Sequence, residues 1–324
     1  MKRRARLAAI DIGSNALRLR VADVDPPSSG PGGPRFGAFR EVLAERAAVR
    51  LGSDVFSRGS IAPSGLAGAC NALHRFVGAM RGVGVERYRA VATSAVREAS
   101  NGAHFVEQAG RRAGVIVETI GGEEEARLIE LAVRQRVRLG DRAALLVDIG
   151  GGSTELTLLD QGRAAFACSL PIGTVRLLHA VRDEGDGRLN EARRRLLDEL
   201  VTLAAQPSLT AIHALADDRL DLVLGTGGNV ATLADLCPFQ GESATSRSID
   251  VARARALLFV LGPLTLSERV ARYGLRLDRA DTILPAAMIL CRLAESFALP
   301  SIGVPGVGLK EGVLLDLAHT HFAA

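Results

Sequence analysis

A chain of 324 residues that is 48% hydrophobic is long enough for two domains with real cores, built from Leu, Val, Ile and Ala because aromatics make up only 4%. Its 40 basic and 36 acidic residues leave a formal net charge of +4, too balanced for a nucleic-acid-binding chain yet not opposed to polyanions. The basic start Lys2-Arg3-Arg4-Ala5-Arg6 resembles a signal-peptide n-region, but the apolar run behind it stops at Asp11, and no window is long enough to span a membrane. Cys70, Cys168, Cys237 and Cys291 fit neither a zinc pattern nor a disulfide framework, so the expectation is a cytoplasmic protein with reduced thiols.

In chain order, 7–10 and 17–24 read as paired strands around the turn Asp11-Ile12-Gly13-Ser14-Asn15. The Pro/Gly/Ser-rich stretch 25–35 reads as a loop, and 39–49 as a third strand. A helix is expected over 60–81, with Pro63 near its start and Leu66, Cys70, Leu73, Val77 and Met80 at core spacing. His74 on that helix is solvated or packed rather than catalytic. A strand at 89–92 leads into Thr93-Ser94-Ala95-Val96-Arg97-Glu98. Hydroxyls and an arginine at a strand's carboxyl end suit phosphate, and a solvated loop arginine is an equally good reading. A strand at 115–120 then meets Gly121-Gly122-Glu123-Glu124-Glu125-Ala126-Arg127-Leu128, the start of a helix to about 138. Acidic residues in a first turn are ordinary dipole partners. That accounts for one or two of the three glutamates; the surplus one is a candidate general base.

The stretch Val147-Asp148-Ile149-Gly150-Gly151-Gly152-Ser153-Thr154-Glu155 is fed by an apolar run from 143 and followed by alternating hydrophobicity to 158. It reads as strand, glycine turn and strand. Glycines let backbone N–H groups approach an anion, and Asp148 at the strand end suits a cation or its water shell. Helices are expected from about 170 and over 191–205. A strand at 220–224 ends in Gly225-Thr226-Gly227-Gly228-Asn229. This turn suits an anion at a helix N-terminus but lacks the Gly-Lys-Ser/Thr of a P-loop. Helices fill 250–298, with Pro285 expected to kink or break one. A short strand at 301–304 and a closing helix from 306 complete the chain.

Residues 11–23 repeat 148–160. Laid without a gap, the two share Asp, Ile, Gly, the pair Leu19/Leu156 and a closing Asp. Two copies so far apart suggest two similar α/β lobes, each offering a phosphate-binding hairpin to a shared cleft.

Taken together, Asp-Ile-Gly-Ser-Asn at 11–15, Thr-Ser-Ala-Val-Arg at 93–97, Gly-Glu-Glu-Glu-Ala-Arg-Leu at 122–128, Asp-Ile-Gly-Gly-Gly-Ser-Thr-Glu at 148–155, the glycine turn at 225–229 and Leu-Lys-Glu-Gly-Val-Leu at 309–314 resemble the exopolyphosphatase / guanosine pentaphosphate phosphatase family. The resemblance spans essentially the whole chain and matches the short, two-lobed members. It implies two actin-like (ribonuclease H-like) lobes with a cleft between them, divided here as 1–123 and 124–324, with the closing helix left open between the second lobe and a return to the first. By position, Glu125 matches the catalytic glutamate. Asp148 matches the metal-associated aspartate, with Glu155 and Asp11 as further candidates for Mg²⁺. Gly13, Ser14, Asn15, Gly150, Gly151, Gly152, Ser153, Gly227, Gly228 and Arg97 match phosphate-facing positions. The chain departs from the family pattern at Ala16, Gly121, Asn229 and Lys310, none of which removes a catalytic group.

The activity implied is exopolyphosphatase: removal of the terminal phosphate of inorganic polyphosphate, with guanosine pentaphosphate (pppGpp) as the alternative substrate. A sugar or acetate-type kinase shares the Asp-Ile-Gly turns but lacks the glutamate motif. A non-catalytic actin-like nucleotide-binding module would have no need of Glu125. Among assemblies, base rates favour a homodimer.

Overall fold

The computed structural model describes residues 3–28, 36–37, 39–181, 186–216, 220–241 and 245–323. Residues 29–35 of the loop expected at 25–35 lie outside the described residues. The chain packs into two compact units, Met1–Arg136 with Val307–Ala324, and Val137–Gly306.

The first unit opens with the antiparallel hairpin β1 (Ala5–Ile12) and β2 (Leu17–Val24), extended by β3 (Arg40–Ala47). Helices α1 (Leu51–Arg58) and α2 (Pro63–Gly82) follow, then β4 (Arg87–Ala92), α3 (Ser94–Glu98), α4 (Gly102–Gln108), β5 (Val117–Thr119) and α5 (Gly122–Arg136). β4 pairs parallel with β1 and β5 parallel with β4, giving the order β3-β2-β1-β4-β5. Ile10, Leu19, Leu73, Phe76 and Phe105 fill its core.

The second unit repeats the plan. β6 (Ala144–Ile149), β7 (Thr154–Asp160) and β8 (Arg163–Leu170) form an antiparallel meander, followed by α6 (Thr174–Ala180) and α7 (Glu191–Ala216). β9 (Leu222–Thr226) pairs parallel with β6 and leads into α8 (Gly228–Leu236). After β10 (Ser248–Asp250) come α9 (Val251–Leu261), α10 (Leu266–Tyr273), α11 (Leu277–Ala280), α12 (Ile283–Glu295) and β11 (Ser301–Gly303). Read from the β8 edge, the order β8-β7-β6-β9-β11 is that of the first sheet, with β10 added antiparallel at the far edge. Even the irregularities match. The register shifts at Val21/Ala22 in β2 and at Leu158/Leu159 in β7, the same positions when Asp11 is laid on Asp148. Every residue of β6 is buried, as expected of a strand flanked on both sides. Both units are therefore α/β, with the actin-like, ribonuclease H-like strand order.

The last helix, α13 (Leu309–Ala323), belongs to the first unit and packs on α5 and β1. Gly312 makes the approach possible, because a Cβ there would collide with the Leu128 carbonyl of α5. The break between units falls after Arg136, at the end of α5, so Glu125 lies wholly in the first unit.

Two helix expectations are corrected. Pro285 neither kinks nor breaks α12: it is the third residue of that helix, where no intrahelical N–H bond is lost. The helix expected over 191–205 instead continues through Pro207 to Ala216, its inner face closed by Leu197, Val201, Ala205, Leu209 and Ile212. Among the described residues no helix is long and apolar enough to cross a membrane.

Candidate functional site

In the second unit, Asp148 on β6 and Glu155 on β7 face each other on one rung of the hairpin. Both are buried, at 8% and 2% exposure, which brings two carboxylates together in a poorly solvated place. Each has a hydroxyl partner. Thr226, at the end of β9, donates to Asp148 Oδ1, and Ser169 Oγ on β8 donates to Glu155 Oε1 at 2.8 Å. Carboxylates and hydroxyls make a hard, all-oxygen donor set, the chemistry that Mg²⁺ selects. The residues present therefore fit a divalent cation.

The turn joining these strands closes by Gly150 N–H donating to Ser153 O at 3.0 Å. Its carbonyls are then captured by the start of α6. Gly150 O accepts from Thr174 N at 3.1 Å, and Gly151 O from Val175 N at 2.8 Å and Arg176 N at 3.1 Å. The Arg176 guanidinium Nε donates to Gly152 O at 2.7 Å. The chain has no cis peptide among the described residues, so each captured carbonyl turns the next residue's N–H the opposite way. The N–H groups of Gly151, Gly152 and Ser153 thus point away from α6, as an anion nest requires. Gly173 lets α6 come this close, since a Cβ there would overlap the backbone of Gly151 and Gly152.

Gly227 and Gly228 stand at the adjoining strand end. Gly227 has φ +106°, and a Cβ on it would lie 2.6 Å from the Ile149 carbonyl, so only glycine fits the junction of β9 and α8. A Cβ on Gly228 would strike the Arg279 guanidinium. Asn229, by contrast, is buried and accepts from Thr282 Oγ1 at 3.3 Å, a contact inside the helical layer.

The first unit's turn has the same closure, Gly13 N–H to Ala16 O at 3.2 Å. Ser14 and Asn15 are both buried. Ser14 O accepts from Gly52 N at 2.8 Å, the Ser14 and Ser94 hydroxyls lie 2.9 Å apart, and Arg50 Nε donates to Asn15 Oδ1 at 2.7 Å. The rung is different. Asp11 faces Arg18, whose Nη1 donates to Asp11 Oδ2 at 2.9 Å. Asp11 is already charge-paired within its own hairpin, so its donor set is the poorer one for a cation.

The three glutamates of α5 separate by direction. Glu123 is exposed. Glu124 receives Arg127 Nε at 2.7 Å and Arg89 Nη2 at 3.2 Å. Those guanidinium bonds, Arg127 foremost, hold its carboxyl below the usual range against the opposing effect of burial. Glu125 turns inward and is only 5% exposed. Arg97 Nη1 lies 3.7 Å from Glu125 Oε2 while donating to the Ile120 carbonyl at 2.8 Å. Arg97 is thus a half-buried cation beside the surplus glutamate, not a solvated loop residue.

Within each unit, then, expected residues meet: Glu125 with Arg97, and Ser14 with Ser94, in the first; Asp148, Glu155 and the paired strand ends that carry both glycine turns in the second. Sequence reasoning misses Arg18, Arg50, Thr226, Ser169 and Arg176. Arg18 and Ser169 are rung partners, legible only once the strand registers are known.

Duplicated actin-like units carrying phosphate-type turns, with Glu125 of α5 turned inward, define a phosphate-handling protein of that fold. The chain belongs to the Ppx/GppA phosphatase family, whose sequence model matches residues 33–321. It is 28% identical over 311 residues to exopolyphosphatase 1 of Mycobacterium tuberculosis, covering 96% of this chain and 87% of that protein. The Mycobacterium leprae protein of the same name is 27% identical over 96% of this chain and 88% of its own length. Among solved structures, an exopolyphosphatase from Cytophaga hutchinsonii superposes with a TM-score of 0.83 at 26% identity, covering 97% of this chain and 98% of that one. The Aquifex aeolicus member of the Ppx/GppA family gives 0.75 at 26% identity, with 98% and 99% covered.

Proposed function

We propose that this protein is an exopolyphosphatase, hydrolysing the terminal phosphoanhydride of inorganic polyphosphate with Glu125 as general base. The observation that carries the reading is the inward placement of Glu125 beside Arg97, next to a Glu124 engaged in ion pairs. A buried carboxylate in a first helical turn is not needed for capping the dipole from outside, and its burial is a cost that chemistry justifies.

In this reading Glu125 accepts a proton from water as its oxygen bonds to the terminal phosphorus. The bridging P–O bond breaks, and the shortened chain leaves with the electron pair. The outward N–H groups of Gly151, Gly152 and Ser153 donate to phosphate oxygens, with Gly227 and Gly228 completing that cradle, and the turn Gly13–Asn15 is the first unit's own counterpart. Arg97 holds the Glu125 carboxylate in place and adds positive charge. Phosphoryl transfer asks mainly for such positioning and charge stabilisation. A divalent cation held by Asp148 and Glu155 would supply charge neutralisation at the phosphate oxygens. The four cysteines are free thiols, in keeping with a cytoplasmic protein.

The test is phosphate release from long-chain polyphosphate at fixed Mg²⁺, with guanosine pentaphosphate in parallel and Glu125→Gln as control. Release from polyphosphate that falls about 10²–10⁴-fold in the variant, with substrate binding kept, supports the proposal. Near-normal turnover in Glu125→Gln removes the base assignment, and release from the nucleotide alone moves the substrate.

A further inference from the structure

The glycine turn of the second unit is held from behind, and its three carbonyls are not held alike. Those of Gly150 and Gly151 take backbone N–H groups from the first residues of α6. That of Gly152 has no backbone donor among the described hydrogen bonds, and the Arg176 guanidinium serves instead, at 2.7 Å through Nε. Arg176 is half-buried in the first turn of α6, with its own N–H already on Gly151 O at 3.1 Å. It therefore fixes two successive peptides of the turn.

The first unit solves the same problem at the same place. β3 ends at Ala47 and α1 begins at Leu51; β8 ends at Leu170 and α6 begins at Thr174. The bond from Gly52 N to Ser14 O and the bond from Val175 N to Gly151 O are equivalent, both 2.8 Å. The position matching Gly152 is Asn15, and an arginine reaches it as well, but by another route: Arg50, one residue before α1 where the second unit has Gly173, donates to the side-chain Oδ1 of Asn15 at 2.7 Å. Both units thus bring a guanidinium to this turn position, and only in the second does it hold the backbone carbonyl itself.

We infer that Arg176 is a positioning residue of the phosphate cradle. By fixing the Gly152–Ser153 peptide it keeps the Ser153 N–H on the side where the N–H groups of Gly151 and Gly152 emerge. This rests on reading the turn as the phosphate site. A glycine run left to itself has many backbone conformations to choose from. A charge-assisted bond to one carbonyl selects among them.

The experiment compares Arg176→Met and Arg176→Lys with the unaltered full-length protein by amide hydrogen exchange over 150–153, orthophosphate inhibition and steady-state kinetics on polyphosphate. The expected result in Arg176→Met is faster exchange, with KM and the orthophosphate inhibition constant raised about tenfold and kcat changed far less, the size of one lost charge-assisted bond. Lysine, whose ammonium can reach a carbonyl, restores part of each. Unchanged exchange and unchanged KM in Arg176→Met would overturn the inference, as would equal losses of kcat in both variants with no change in KM. If the unaltered protein releases no phosphate, the phosphatase reading fails by itself, and exchange decides the clamp: faster in Arg176→Met supports it, unchanged overturns it.

Discussion

Asp148 and Glu155 occupy the rung of β6–β7 that Asp11 and Arg18 occupy in β1–β2. One hairpin therefore opposes two acids where its counterpart opposes an acid and a base. Like charges directly across a rung destabilise a sheet, and a cation between them reverses the sign. Added Mg²⁺ should accordingly raise the thermal midpoint of the protein, by about 2.7 kcal/mol of stability at a hundredfold excess over its dissociation constant. Glu155→Gln should show a higher midpoint without Mg²⁺ and lose most of the Mg²⁺ effect. Asp11→Asn should lower the midpoint equally with and without Mg²⁺, because it breaks the Arg18 pair instead. Thermal denaturation of the three proteins across a Mg²⁺ series checks this; a full Mg²⁺ effect in Glu155→Gln would remove the pair as the cation site.

Adjacent glutamates on α5 should have opposite phenotypes. Glu125→Gln should abolish most turnover with little change in stability. Glu124→Gln should leave turnover near normal and cost about 0.2–1 kcal/mol, the range for a solvent-reached ion pair. Its pH dependence has a definite sign. The Glu124 carboxyl is held low in the folded state, chiefly by Arg127, so its contribution is present above the ordinary glutamate range and disappears as pH falls through the lowered folded value. Unaltered protein and Glu124→Gln should differ at pH 7 and converge in acid, read by denaturant midpoints between pH 2 and pH 7.

Asp23 offers a second acid-limb test away from the site. Hydrogen bonds from Arg6 at 2.7 Å and Arg40 at 2.6 Å lower its pKa to about 2, against the opposing effect of burial. A depressed carboxylate stabilises fully above its unfolded value, near 4, and loses that contribution as pH falls toward 2. Asp23→Asn should be less stable at neutral pH and show a flatter loss of stability between pH 4 and pH 2. An unchanged acid limb would mean that the two arginines do not hold this carboxyl.

Gly312→Ala tests the backing of α5. The added methyl meets the Leu128 carbonyl, so the two helices must separate, a typical overpacking cost of about 1–3 kcal/mol. Because Leu128 is one turn beyond Glu125, kcat should fall together with stability. A stable Gly312→Ala protein of normal activity would show that α13 has room to shift.

The turns and hairpins were legible in the sequence because their chemistry is local. β2 begins and ends at the residues its alternation indicates, Leu17 and Val24, and the glycine runs sit at the tips expected of them. α1 escaped because it is eight residues long and has no side-chain cap at Arg50 to announce it. β8 escaped because, as an exposed edge strand, it shows little apolar alternation. At the site, Glu125 was separable from its neighbours only as a surplus; which way each glutamate points depends on Arg89, Arg97 and Asp316, brought from other elements. The acid–base difference between the two rungs lay in plain view as Arg18 and Glu155, but it acquires meaning only from strand register.

The return of α13 to the first unit has a consequence for the order of assembly. The second unit is continuous in the chain, and its residues are all synthesised before α13 exists. The first unit is made of segments on either side of the second, so α5 emerges early yet waits for α13 to supply Gly312 against Leu128 and Asp316 against Arg89 and Arg127. On the ribosome, domains tend to fold as their segments become complete. The helix that carries Glu125 is thus finished only after the second unit, and a chain cut short of α13 has a complete second unit and an uncovered α5.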